Sequence, residues 1–163
     1  MTSPAAATFD IREDDLTGAD IITLIETHVA HMAGQSPEEC CHVLDIDGLK
    51  VPEIKFWSAW DGSHLVGCGA LKEIDAGHGE IKSMHTAAAH RKRGVGNRVL
   101  SHIIAEAARR GYRRLSLETG SGPGFEPALN MYRRAGFQPS EPFGDYAENP
   151  FTVFLALDLT TAT

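Results

Sequence analysis

The run HRKRGVGNR, from His90 to Arg98, puts five basic residues and two glycines into nine positions of a chain whose formal charge is −7. Within it Arg91, Gly94 and Gly96 give the spacing R-x-x-G-x-G. The residues Val95, Val99, Leu100, Ile103, Ile104, Ala107 and Ala108 then recur on one helical face. A helix that starts at Gly94 leaves its first four N–H groups without internal acceptors, and its dipole adds partial positive charge there. Glycines at 94 and 96 keep side chains away from an approaching anion, while Arg91, Lys92, Arg93 and Arg98 surround it with charge. These are the groups a pyrophosphate needs. The spacing is not a P-loop, because no Lys-Ser or Lys-Thr follows the second glycine. Nor is it a dinucleotide fingerprint, because the third glycine is missing. Two blander readings compete: a solvated basic turn, and a nucleic-acid patch, which the lack of interleaved aromatics opposes.

Other groups with chemical potential are dispersed. His28 and His31 lie one helical turn apart and Cys40, Cys41 and His42 follow, but adjacent cysteines lack zinc-site spacing, so no metal site is expected. His28 on an apolar face reads as a core histidine. By period-two alternation Glu80 shares a strand face with Lys82, Met84 and Thr86, and a Glu80–Lys82 pair is one reading of that face. Phe56, Trp57 and Trp60 suit either the core or a pocket wall. Asp145 and Tyr146 suit either a pocket edge or a turn.

Positioning such groups needs one ordinary core, and 163 residues suffice for a single domain. The acidic balance opposes general attraction to nucleic acid, so no nucleic-acid partner is expected. Three cysteines without framework spacing read as free thiols in a reducing compartment. With neither a signal peptide nor a membrane-length apolar run, a cytoplasmic protein without a membrane partner is expected.

Residues 1–7 read as a flexible N-terminal tail and 8–160 as one domain. TFDIRE is a first strand, followed by a helix with Thr17 or Asp20 as cap and Ile21, Leu24, Ile25, His28 and Met32 on its apolar face. Pro37 opens a second short helix through PEECCHVLDIDGL. KFWSAW and HLVGCGALKEI form a hairpin about Asp61-Gly62, and EIKSMHT follows as a strand. The helix from Gly94 is capped at Gly111. YRRLSLET is a strand, PALNMYRRAGF a helix ended by Gly136, and TVFLALDL a closing strand. This order predicts an α+β sandwich around one sheet.

The segments EIKSMHTAAAHRKRGVGNRVLSHII, GYRRLSLET and ALNMYRRAGF resemble the central motifs of the GNAT superfamily of acyl-CoA-dependent N-acetyltransferases, and GSHLVGCGALKE its second hairpin strand. The runs SPEE, LKE, GEIKSM, LSLETGS, FEPA, YRRAGF and PFGDY are similar to a bacterial subgroup, and the likeness extends from Phe9 to Leu159. The resemblance implies a single mixed, mostly antiparallel sheet with helices on both faces and splayed central parallel strands. It implies acetyl-CoA as acyl-donor co-substrate, an amine acceptor, and, dimers being common in the family, a homodimer.

Carried over residue by residue, the resemblance makes Arg91 the first residue of the CoA-binding motif and puts the pyrophosphate on the backbone of Lys92, Arg93, Gly94, Val95, Gly96 and Asn97, and the pantetheine on Thr86. It puts the Met84 N–H at the thioester carbonyl as oxyanion donor, and Tyr132 at the departing sulfur as acid. Glu80 or Glu118 is the general base, a choice it leaves open. Phe125 departs from the pattern, standing where the family often has Asn against the pantetheine. The acidic Glu38-Glu39 pair hints at a cationic acceptor. A silent acyl-CoA-binding regulatory module is the alternative to an enzyme.

Overall fold

The computed structural model describes residues 9–33, 44–144 and 146–160. The expected tail, Pro37, Glu38, Glu39, Cys40, Cys41, His42 and Asp145 lie outside them. Strands β1 (Asp10–Glu13), β2 (Ile54–Asp61), β3 (His64–Asp75), β4 (His78–Thr86), β5 (Arg114–Gly120), β6 (Gln138–Pro139) and β7 (Thr152–Asp158) form one sheet in the order β1-β2-β3-β4-β5-β7-β6. Helices α1 (Ala19–Ala33) and α2 (Ile46–Leu49) cover one face; α3 (Val95–Arg109) and α4 (Glu126–Arg134) cover the other. Alternation along β2 and β3 makes two cores. Phe56, Cys68 and Ala70 meet Ile21 and Ile25 of α1, whereas Trp57, Ala59 and Leu71 join the α3 core, with Val99 and Ile103.

The helix starts differ from expectation. The Gly18 carbonyl takes the Ile22 N–H, so α1 opens at Gly18. Asp20 lies inside the first turn, and the Thr17 hydroxyl is tied to Asp15 at 2.6 Å. The helix ends are as the glycines require. Gly111 (φ 82°) and Gly136 (φ 104°) close α3 and α4, with Tyr112 N–H bonding the Ala107 carbonyl and Phe137 N–H bonding the Tyr132 carbonyl. These are paired Schellman closures, and the second brings the Tyr132 and Phe137 rings to 5.7 Å.

Only β4 and β5 pair in parallel; the other neighbours are antiparallel. Their register runs from His78↔Arg114 to Ile81↔Leu117 and stops, although β4 continues to Thr86 and β5 to Gly120. On the other side of β4 the register jumps: Ala70 faces Lys82 while Cys68 faces His85, so Gly69 alone opposes Ser83 and Met84. Ser83 has φ 55°. This bulge bends β4 where it leaves β5.

The bulge also overturns the expected alternation. Glu80 and Lys82 lie on the α1 face, Lys82 opposite Ala70, but a Cβ on Gly69 would touch Met84 Sδ, Val99 and Ile103, so Met84 is on the α3 face. An inserted residue exchanges the faces beyond it, and His85 therefore takes the place on the α1 side that alternation had given to Met84.

Candidate active site

A cleft of about 700 Å³ runs from the start of α3, through the gap between β4 and β5, to the α1 side of the sheet. At its first end Lys92 (φ 65°) and Gly94 (φ 82°) are left-handed, a backbone alternation that aims successive N–H groups into one concavity. The first helical bond of α3 runs from Arg98 N–H to the Gly94 carbonyl, leaving the Val95, Gly96 and Asn97 amides without helical acceptors. No side chain among the described residues caps this end. A Cβ on Gly94 would meet nothing within 4 Å, whereas one on Gly96 would lie 2.8 Å from Met131 Sδ. Gly94 thus supplies the backbone turn, and Gly96 lets α3 approach α4.

The basic side chains divide. Arg91 and Lys92 line the cleft. Arg93 turns away from it, with its guanidinium 2.7 Å from Asp61 and 2.6 Å from His90 Nδ1, and packed over the Phe9 ring. That hydrogen bond holds the exposed Asp61 carboxyl below its usual range. Arg98 is exposed on α3, outside the cleft lining. Only the backbone of Arg93 is therefore available to the cradle.

Met84 and Thr86 line the middle of the cleft beside Tyr132. Tyr132 is 5% exposed, burial raises its phenol pKa, and its hydroxyl forms no hydrogen bond among the described residues. Phe125 is buried in the same wall against Gly120, where a Cβ would overlap its ring.

On the α1 side the walls are ionisable. Glu80 Oε2 accepts from Lys82 Nζ at 2.9 Å and from the Tyr146 hydroxyl at 2.7 Å, and Lys82 Nζ donates to that hydroxyl at 3.0 Å. The Glu80 and Lys82 side chains are 5% and 7% exposed. Glu118 lines the cleft from β5, half-buried, one residue past the stretch paired with β4 and opposite Phe154 of β7. His28 Nδ1 and His85 Nδ1 are 3.0 Å apart, and His31 stands next to them. Desolvation, with the neighbouring His85 and His31 adding, lowers His28 to about 3. Desolvation, with His31 and Arg91 adding, lowers His85 to about 4.

The model of the Acetyltransferase (GNAT) family matches residues 21–137. The uncharacterized N-acetyltransferase YsnE of Bacillus subtilis is 54% identical over 91% of this chain and 99% of its own length. The uncharacterized N-acetyltransferase YedL of Escherichia coli is 45% identical over 93% and 95%. The chain belongs to the GNAT family. A Klebsiella pneumoniae structure assigned as an acyl-CoA N-acyltransferase superposes with a TM-score of 0.76 at 27% identity, covering 94% of this chain and 99% of that one. The protein is thus an acyltransferase of GNAT type.

Of the residues picked out in the sequence, this GNAT structure brings Glu80, Met84, Thr86, Arg91, Lys92, Gly94, Val95, Gly96, Asn97, Glu118 and Tyr132 to one cleft. Phe56, Trp57 and Trp60 are outside its lining: the first two fill the two cores, and Trp60 donates to Ser58 Oγ at 2.8 Å. His85 was not singled out, because strict alternation turns it toward the opposite core. A serine at φ 55° leaves no mark in sequence that would have betrayed the bulge. No helix among the described residues is long and apolar enough to cross a membrane.

Proposed function

We propose that residues 8–160 form one catalytic domain that transfers the acetyl group of acetyl-CoA directly to a primary amine on a small molecule, both substrates being bound together. The observation that carries this reading is the continuity of one cleft from the unfilled N–H groups at Gly94, through the β4–β5 gap, to the ionisable α1-side wall. A CoA pyrophosphate fits the first end, since the concave backbone offers donors, Arg91 and Lys92 offer charge, and no atom would crowd a Cβ at Gly94. The backbone from Lys92 to Asn97 holds that group, with Arg93 contributing through its backbone alone.

Beyond the cradle, β4 has no strand partner among the described residues on the β5 side after Ile81, so an extended pantetheine can lie along it as an added strand past Thr86. The bulge sets Ser83 and Met84 against one partner, which takes an N–H out of the ladder. The Met84 N–H is the donor proposed for the developing oxyanion. Tyr132 keeps its proton because burial raises its pKa, and it donates to the sulfur as the C–S bond breaks. Glu80 and Glu118 are the carboxylates available to the acceptor. The Klebsiella relative, described as acting with acyl-CoA on nitrogen, supports the same donor and bond.

The test has two stages. Acetyl-CoA at about 100 times its dissociation constant stabilises the fold by about 2.7 kcal/mol, read as a thermal shift. A panel of amines, amino acids and peptides is then incubated with acetyl-CoA and protein, and free CoA thiol is measured. Absence of any shift with acetyl-CoA or longer acyl-CoAs would refute the reading. A shift with no thiol release from any amine would make the domain a silent binding module.

A further inference from the structure

We propose that His85, oriented by His28, takes the proton from the amine nitrogen as the new C–N bond forms. This rests on the N-acetyltransferase reading above and adds to it a catalytic group and a positioning group. The bulge at Ser83 turns His85 to the α1 side of β4, into the cleft, immediately after Met84. There its Nδ1 meets His28 Nδ1 of α1 at 3.0 Å, with the rings edge-on and 4.9 Å apart.

Two imidazole nitrogens at this distance form a hydrogen bond only if one carries hydrogen and the other does not. With both rings neutral, the pair then shows one bare Nε2 and one Nε2–H. His28 is 6% exposed and packed within α1, whereas His85 is half-buried and follows the residue assigned to the thioester carbonyl. The productive tautomer therefore has His85 Nδ1–H donating to His28 Nδ1, which leaves the lone pair on His85 Nε2 for the substrate.

The surroundings suit this role. The charged and titratable groups around the pair are His31 on α1, Glu80 and Lys82 on β4, the Cys68 thiol opposite His85 on β3, and Arg91 beyond the strand end. Glu80 Oε2 already accepts from Lys82 and Tyr146. Burial keeps both rings neutral, so the acceptor must enter as the free amine. Its nitrogen becomes acidic only as the C–N bond forms. In the step, the nitrogen lone pair forms the bond to the acetyl carbon and the N–H proton passes to His85 Nε2. The Nδ1–H hydrogen bond to His28 shares the charge that His85 then carries, and the C–S pair leaves on sulfur, which takes the Tyr132 proton. The proton on His85 Nε2 is released to solvent in the cleft and Tyr132 takes one back, so the histidine pair and the tyrosine end the turnover as they began it.

The test uses the full chain with acetyl-CoA and the fastest acceptor of the amine panel, or hydroxylamine, a small amine unprotonated at neutral pH, if none is found. His85→Gln is expected to lower kcat about 100-fold, with acetyl-CoA affinity unchanged. His28→Leu should lose about tenfold in kcat at constant KM, whereas His28→Asn, which keeps a hydrogen-bonding atom near Nδ1, should recover most of it. A His85→Gln loss below tenfold overturns the proposal, as does the absence of any rate above background with hydroxylamine. Should His85→Gln fail to fold, 15N spectra of the wild-type imidazoles decide. A neutral His85 protonated at Nδ1 beside a neutral His28 protonated at Nε2 at pH 7 supports the pair, and a charged ring, matching tautomers or the reverse assignment overturns it. Failure of the wild type to bind acetyl-CoA, or to release thiol with any amine, removes the acetyltransferase reading as well, whereas a wild type that turns over and a His85→Gln variant that does so nearly as fast removes this proposal alone.

Discussion

Glu80 and Tyr146 are separated by 66 positions in the chain, yet the Tyr146 hydroxyl donates to Glu80 Oε2 at 2.7 Å and accepts from Lys82 at 3.0 Å. The loop between β6 and β7 is thereby pinned to β4 at the mouth of the splay, and the buried Glu80 carboxylate is balanced by the Lys82 ammonium. Two charges this deeply buried gain from one another only while both are present. Lys82→Met is expected to cost about 3–5 kcal/mol, since it strands the Glu80 charge. The Glu80→Gln, Lys82→Met double variant should cost less than Lys82→Met alone. Tyr146→Phe removes a bond to each partner and should cost about 1.5–3 kcal/mol. Urea unfolding of the four proteins reads these differences.

The bulge makes Ser83 unusual twice over. Its φ of 55° suits glycine, and its Oγ is buried without a hydrogen-bond partner among the described residues. Ser83→Gly removes both costs and is expected to raise stability by about 1 kcal/mol. Ser83→Val should lower it, because a β-branched residue tolerates that φ poorly. Denaturant midpoints measure both.

Gly94 and Gly96 should respond to alanine by different physics. At Gly94 the new Cβ finds open space, so the left-handed backbone alone carries a strain of about 1–2 kcal/mol. At Gly96 the Cβ meets Met131 Sδ at 2.8 Å, and α4 must shift or Met131 must yield. Gly96→Ala should therefore be relieved by adding Met131→Ala, whereas Gly94→Ala should not. A double-mutant cycle on thermal stability separates the two.

Tyr132→Phe is expected to lower kcat about 100-fold with little change in stability. The Phe137 stacking survives, and the hydroxyl has no hydrogen bond to lose among the described residues. Because burial raises the phenol pKa, ionisation of Tyr132 should impose no loss of activity from neutral pH to pH 10. A pH–rate profile of the wild type checks this.

The buried histidines also set an acid limit on the fold. In the unfolded chain His28 and His85 take up protons as pH falls through about 6.5. In the native state they stay neutral until about 3 and about 4. The unfolded state binds more protons throughout that window, so stability is complete above 6.5 and falls as pH drops below it. Unfolding curves from pH 8 to pH 4 should show the decline, and a His28→Leu, His85→Leu variant should flatten it.

Much of this was legible in the sequence because it is local. The start of α3 at R-x-x-G-x-G, its apolar face, the glycines that close α3 and α4, and the Asp61-Gly62 hairpin each depend on a few neighbouring residues whose backbone preferences are strong. Thr17 misled as a cap because Asp15, two residues away, competes for its hydroxyl. β6 was not foreseen: two residues carry no periodic signal, and their pairing comes from β7.

The sequence alone determined the family, the glycine-opened start of α3 and the order of elements apart from β6, since these follow from short-range spacing and composition. Tertiary structure decided which residues share a surface. One unmarked residue in β4 exchanged the faces of Met84 and His85, and Arg93 was drawn off to Asp61. Tyr146, at the far end of the chain, was brought to Glu80. Strand register, bulges and loop closure are fixed by contacts between segments distant in sequence, and no window of sequence contains both partners.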